Sequence, residues 1–120
     1  MLFRSFVLLE AFTKKELHLA TYMLNVFADN SEQLLVGVNC RDLNTLEVNF
    51  SNFEKLAADL PNRAMCVAES GVYSLDDLQR VIEMGFGSAL IGTALMQSNN
   101  PTTKLHEMKH FARKAMVARQ

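Results

Sequence analysis

Four short apolar runs divide the chain, and each stops at a polar or glycine-containing cluster. Phe6-Val7-Leu8-Leu9 stops at Glu10, and Leu34-Leu35-Val36-Gly37-Val38 stops at Asn39-Cys40-Arg41-Asp42. Met65-Cys66-Val67-Ala68 stops at Glu69-Ser70-Gly71, and Ala89-Leu90-Ile91 stops at Gly92-Thr93. Short continuous apolar runs without alternation are the pattern of buried parallel strands. Polar groups at the carboxyl ends of such strands are where α/β proteins build their ligand sites. Four such endings in succession predict one site assembled from strand ends.

Helical periodicity fills the intervals. Thr13-Lys14-Lys15-Glu16 has the form of a capping box, and Leu17, Ala20, Leu24 and Phe27 follow at helical spacing. Asp29-Asn30-Ser31 reads as a loop. Ser51-Asn52-Phe53-Glu54 reads as a second capping box, before Phe53, Leu56, Ala57 and Leu60, with Pro61 as the stop. Ser74-Leu75-Asp76-Asp77 predicts a third cap, with an acidic first turn suited to the helix dipole. Leu75, Leu78, Val81 and Ile82 make its buried face and Gly85 ends it. Gly92-Thr93 opens a short helix over Ala94, Leu95 and Met96. Asn99-Asn100-Pro101 is a break, and Thr102 or Thr103 starts a last helix with Leu105, Met108, Ala112 and Ala115 on one face.

The result is four strand-helix units in 120 residues. A (β/α)8 barrel takes about 250 residues, or roughly 31 per unit, so the chain has the period of that barrel and half its length. The predicted fold is α/β, a parallel sheet forming half of a (β/α)8 TIM barrel, with residues 1–120 as a single half-barrel domain. A small doubly wound sheet is the competing architecture, but no glycine-rich phosphate fingerprint follows the first strand.

Composition narrows the function. The formal net charge is −1, which gives no electrostatic case for nucleic acid or an anionic membrane. No apolar run approaches the roughly 20 residues of a membrane span. Met1-Leu2-Phe3-Arg4 lacks the layout of a signal peptide, and Phe3 to Leu9 enters a strand with almost no lead, as a truncated chain would. Cys40 and Cys66 lack metal-ligand spacing and read as reduced structural thiols, which points to the cytoplasm. His18, His106 and His110 fall on predicted helices away from the strand ends. Lys104, Lys109, Arg113, Lys114 and Arg119 read as a solvated helix face.

The strand-end groups carry the candidate chemistry. Glu10 suits a general base if burial raises its pKa, and otherwise a solvated, helix-capping carboxylate. Asn39 suits a donor to a hydroxyl or oxyanion, and otherwise a turn. Arg41 offers a fork for carboxylate or phosphate, or pairs with Asp42 or Glu10. Glu69 and Ser70 precede Gly71, where backbone amides can approach a ligand. Gly92-Thr93 opens a helix whose amino terminus suits an anion. Ser-Gly and Gly-Thr on neighbouring strands match the barrel phosphate site after strands seven and eight.

These segments resemble the carboxyl-terminal half of indole-3-glycerol phosphate synthase, a tryptophan-biosynthesis enzyme with a (β/α)8 barrel. The resemblance lies in Val7-Leu8-Leu9-Glu10-Ala11, Val36-Gly37-Val38-Asn39-Cys40-Arg41-Asp42-Leu43-Asn44-Thr45-Leu46-Glu47-Val48, Val67-Ala68-Glu69-Ser70-Gly71-Val72 and Leu90-Ile91-Gly92-Thr93-Ala94-Leu95-Met96. The Asn-x-Arg-Asp-Leu-x-Thr segment is the most specific of them. The resemblance implies ring closure of 1-(2-carboxyphenylamino)-1-deoxyribulose 5-phosphate, with loss of carbon dioxide and water. It implies catalytic roles for Glu10, Asn39 and Glu69, substrate contacts from Arg41 and Ser70, and a phosphate cradle at Gly71, Gly92 and Thr93, the last where a serine is commoner. It implies no metal and no organic cofactor, and a phosphorylated small-molecule substrate.

Strands one to four of that barrel have no counterpart here, and with them goes the family's lysine general acid. No lysine in this chain follows a strand end, so the chain alone is expected not to turn over the substrate at a useful rate. The inward side chains of a half barrel also need cover. About ten of them, each leaving ~50 Å² bare, expose roughly 500 Å², the upper end of what a monomer tolerates. The expected partner is a second copy, giving a homodimer, or a complementary amino-terminal half-barrel. A non-catalytic half-barrel that keeps a phosphate-binding or assembly role is the alternative function.

Overall fold

The computed structural model describes residues 5–62 and 64–119, so the expectation drawn from Met1-Leu2-Phe3-Arg4 lies outside them. Its elements are β1 (Val7–Ala11), α1 (Lys14–Val26), a 3-10 segment (Ala28–Gln33), β2 (Leu34–Asn39), α2 (Ser51–Leu56), a second 3-10 turn (Ala57–Asp59), β3 (Cys66–Glu69), α3 (Leu75–Glu83), β4 (Ser88–Leu90), α4 (Thr93–Met96) and α5 (Pro101–Arg119). The four strands form one parallel sheet in the order β1-β2-β3-β4. Chain-order strands joined by helical crossovers are barrel topology; a doubly wound sheet reverses direction partway.

Alternation sorts the strand side chains between two faces. Val36 and Val38 on β2, and Cys66 and Ala68 on β3, join Leu17 and Leu24 of α1, Phe53 of α2 and Val81 of α3 in one buried core. The other face carries Leu8, Gly37, Asn39, Val67, Glu69 and Leu90, since these share rows in the strand register. On that face Leu8 is 37% exposed and Leu90 54%, and Phe6 and Met65 at the strand entrances are 70% and 54% exposed. The helices therefore cover one side of the sheet, as in a barrel wall.

Two of the expected caps form. Thr13 Oγ1 accepts from the Glu16 amide while Glu16 Oε2 accepts from the Thr13 amide, and Ser74 and Asp77 do the same for α3. Ser51 does not begin a capping box: Asn49 Oδ1 instead accepts from the Ser51 amide at 3.1 Å and from its hydroxyl at 2.7 Å. Asn49 lies two residues before Ser51, so it reaches the amide first and the Ser51 hydroxyl becomes a donor. The loop expected at Asp29-Asn30-Ser31 is the 3-10 segment.

The last helix starts at Pro101, earlier than expected, because Asn100 Oδ1 accepts from the Thr103 amide and proline suits the first helical position. Leu105 is exposed; Met108, Phe111, Ala112, Ala115 and Met116 make the packed face. Phe27 is likewise exposed, at the end of α1. Arg119 is not simply part of a solvated face. Its guanidinium donates to the Ile82 carbonyl at 2.8 Å and to the Phe86 carbonyl at 3.3 Å, fastening α5 to the end of α3. His18 ties α1 to the second 3-10 turn through Asp59 at 3.2 Å.

Phe53 is fully buried and meets Phe50 and Phe86 edge-on, each at 5.2 Å between ring centres. Phe53→Ala is expected to cost about 3–5 kcal/mol and to abolish cooperative unfolding, as read by urea denaturation; a loss under about 1 kcal/mol would mean that the helix layer does not depend on this cluster.

Candidate active site

The site is built by side chains that the sheet register places at its carboxyl end. Glu10 sits beside Gly37, and Asn39 sits beside Glu69. The Asn39 amide donates to Glu10 Oε1 at 2.8 Å, and its Oδ1 accepts from the Arg41 backbone amide at 2.8 Å. Both ends of this buried side chain are thus engaged, so Asn39 orients Glu10 as well as shaping the turn after β2. Glu10 itself is exposed on the uncovered face and does not cap α1, a task done by Thr13 and Glu16.

A second asparagine, to which the sequence assigned no role beyond lying in the expected Ser51 cap, locks this arrangement. Asn52 Nδ2 donates to the Phe12 carbonyl and to the Asn39 carbonyl, each at 2.9 Å. It thereby holds the ends of β1 and β2 together from the first turn of α2. Polar side chains inside a short helix carry no sequence signal for such a bridge.

Glu69 is 5% exposed, and its Oε2 is buried without a hydrogen-bond partner. Burial, and then the neighbouring Glu10 carboxylate, push its pKa up to about 7. The two carboxyl groups thus have unlike environments: one holds its proton near neutrality and the other is fixed by an amide. Such a pair is suited to moving a proton at neutral pH.

Next to the acid pair lies a cleft of about 210 Å³. Arg41, Ser70, Gly71, Gly92 and Thr93 line it together with Asn39 and Glu69. All the candidate residues except Glu10 line this one cleft, and Asn39 connects Glu10 to it. Val72, Tyr73 and Leu90 also line it, and nothing in the motif spacing singled them out. Arg41 pairs with neither Asp42 nor Glu10. Its Nη1 donates to the Leu46 carbonyl at 3.0 Å, while Asp42 Oδ1 accepts from the Asn44 amide at 2.8 Å and closes its own turn. The arginine is therefore held from one side, at the cleft wall.

Ser70 and Gly71 have φ of 62° and 74°, so the chain turns through left-handed conformation where it lines the cleft. A side chain at Gly71 would also press on Val48 at 3.3 Å and Cys40 at 3.4 Å. Cys40 lies behind this turn, where burial pushes its thiol up to about 12; Cys66 is raised for the same reason. Both are free and buried, the environment of inert thiols. Among the described residues no three His, Cys, Asp or Glu side chains cluster for a metal, and no helix is long and apolar enough to cross a membrane.

A family model described as indole-3-glycerol phosphate synthase matches residues 6–108. The chain is 43% identical over 67 residues to the indole-3-glycerol phosphate synthase of Halalkalibacterium halodurans, a match covering 56% of this chain and 26% of the other. It is 38% identical over 96 residues to the enzyme of the same name from Haloarcula marismortui, covering 80% of this chain and 32% of the other. The chain thus spans about a quarter to a third of the length of these relatives. Among solved structures, a chain of the Amycolatopsis orientalis BexX/CysO complex superposes with a TM-score of 0.57 at 15% identity, over 89% of this chain and 51% of that one. That likeness concerns the fold alone.

The raised Glu69 pKa has a consequence for stability. The folded state holds a proton that the unfolded chain has already lost, so this contribution is complete below the ordinary carboxyl range and fades as pH rises through about 7. Lowering the pH from about 8 to about 5.5 is expected to raise the unfolding free energy by about 1–2 kcal/mol. Glu69→Gln, neutral throughout, is expected to flatten that dependence in denaturant titrations. Equal slopes in the two proteins would show that Glu69 is ionised in the fold.

Proposed function

Because the chain belongs to the indole-3-glycerol phosphate synthase family, we propose that it supplies the carboxyl-terminal half of a synthase site. The reaction is ring closure of 1-(2-carboxyphenylamino)-1-deoxyribulose 5-phosphate with decarboxylation and loss of water, a step of tryptophan biosynthesis. The observation that carries this reading is the acid pair of Glu10, held by the Asn39 amide, and the buried Glu69 beside Asn39, next to a cleft lined by Arg41, Gly71, Gly92 and Thr93. Glu10 acts as the general base, held by the Asn39 amide. Glu69 shares the proton with it. Arg41 and Ser70 face the anionic end of the substrate, and the turn at Gly71 with Gly92 and Thr93 cradles the phosphate.

Among the described residues no lysine lines the cleft, so on this reading the general acid comes from another half-barrel. The uncovered sheet face, with Leu8 and Leu90 bare, takes a complementary half-barrel. That half is a second copy when the chain is alone and an amino-terminal half when one is present. Two buried reduced thiols suit a cytoplasmic setting.

The chain alone is expected to show no useful turnover of the carboxyphenylamino substrate. Adding the amino-terminal half-barrel of a relative is expected to restore it, and Arg41→Ala in that assembly to weaken substrate binding by about 10- to 100-fold. Binding of a phosphate ester without restored turnover would favour a non-catalytic phosphate-binding half-barrel. Light scattering on the chain alone is expected to give about twice the 13.5 kDa mass; a stable monomer at micromolar concentration would remove the self-association.

A further inference from the structure

The two carboxylates of the site come from strands that are not neighbours. Glu10 stands on β1 and Glu69 on β3, with β2 between them. Strand spacing is about 4.8 Å, so the two backbones lie roughly 10 Å apart. The side chains meet only by passing over β2. Glu10 lies in the row of Gly37, whereas Glu69 lies one row further along, in the row of Asn39. Asn39 fills its own row with an amide, which leaves position 37 as the open way across.

We propose that Gly37 is a positioning residue, whose missing side chain is the seat in which the Glu69 carboxyl lies to reach Glu10. A Cβ at position 37 would stand 2.2 Å from Glu69 Oε2 and 2.7 Å from its Cδ. It would also stand 3.1 Å from Leu8 Cδ1, so the carboxyl has no easy retreat toward β1. The positive-φ glycines of the described chain are Gly71 and Gly85, so left-handed conformation is not what position 37 requires. Room is what it requires. A strand glycine without a special dihedral marks a close approach, and here the approaching group is the buried, unpartnered carboxyl oxygen of the site.

The inference deepens the synthase reading and rests on it for its catalytic meaning: Gly37 brings together two groups that share a proton, without touching the substrate. Gly37→Ala is expected to push the Glu69 carboxyl off β2, away from Glu10 and toward solvent. In a carboxyl 13C titration of the 120-residue protein, the Glu69 midpoint is then expected to fall from about 7 toward the ordinary carboxylate range. An unchanged midpoint would overturn the proposal.

A thermal-melting cycle covers the case in which the variant folds poorly. Gly37→Ala is expected to lower the melting temperature by several degrees in the wild-type background, and by much less in a Glu69→Ala background, where the seat is empty. Equal losses in both backgrounds would mean that position 37 needs glycine for its own strand, and the proposal would fall. Neither readout depends on turnover. Failure to bind a phosphate ester would remove the synthase reading and leave these two results standing.

Discussion

With four parallel strands in chain order, every crossover helix is left to one side of the sheet, and this one-sidedness governs the rest of the molecule. The covered side is a conventional core, in which Val36, Val38, Cys66 and Ala68 pack against α1, α2 and α3. The other side receives no helix of the described residues. It keeps Leu8 and Leu90 exposed, yet it also holds Asn39 and Glu69 at low exposure. A polar site and a bare apolar surface therefore share one face.

Register converts that face into chemistry. The pairing of Asn39 with Glu69, and of Glu10 with Gly37, places three polar side chains from three strands within reach of one another. Their environments differ sharply. Asn39 is bonded at both ends, Glu10 accepts its amide, and one oxygen of Glu69 is left buried with no partner. An unpaired buried oxygen is costly as a carboxylate and tolerable as an acid, so the carboxyl keeps its proton to near-neutral pH. Asn52 reinforces the arrangement from outside, by bonding the backbones where β1 and β2 end.

Similarity to the synthase family, whose named members include those of Halalkalibacterium halodurans and Haloarcula marismortui, runs over residues 6–108 and so takes in the strands and turns that make this face. The chain nonetheless accounts for only a quarter to a third of those enzymes' length. The strand ends of half a barrel can hold an acid pair and an anion cradle, because both are local to neighbouring strands. They cannot supply groups that approach from across the barrel.

Much was legible in the sequence. Buried parallel strands write themselves as short apolar runs, so the run from Leu34 to the polar cluster at Asn39 marks β2, observed over Leu34–Asn39. The caps at Thr13 and Ser74 were legible because their partners lie three residues on. The gathering of Arg41, Glu69, Ser70, Gly71, Gly92 and Thr93 at one end followed from their common position after strands. What sequence spacing left open was decided by contacts between residues far apart in the chain. Ser51 lost its capping role to Asn49, the exposed Arg119 also ties α5 to the carbonyls of Ile82 and Phe86, and Asn52 became a bridge across 40 residues. Likewise, nothing in the string around Gly37 shows that a carboxylate 32 residues later lies where its side chain would be. Periodicity specifies which face a side chain joins; only the folded sheet decides which distant group it meets there, since that depends on strand register and on the space neighbouring side chains leave.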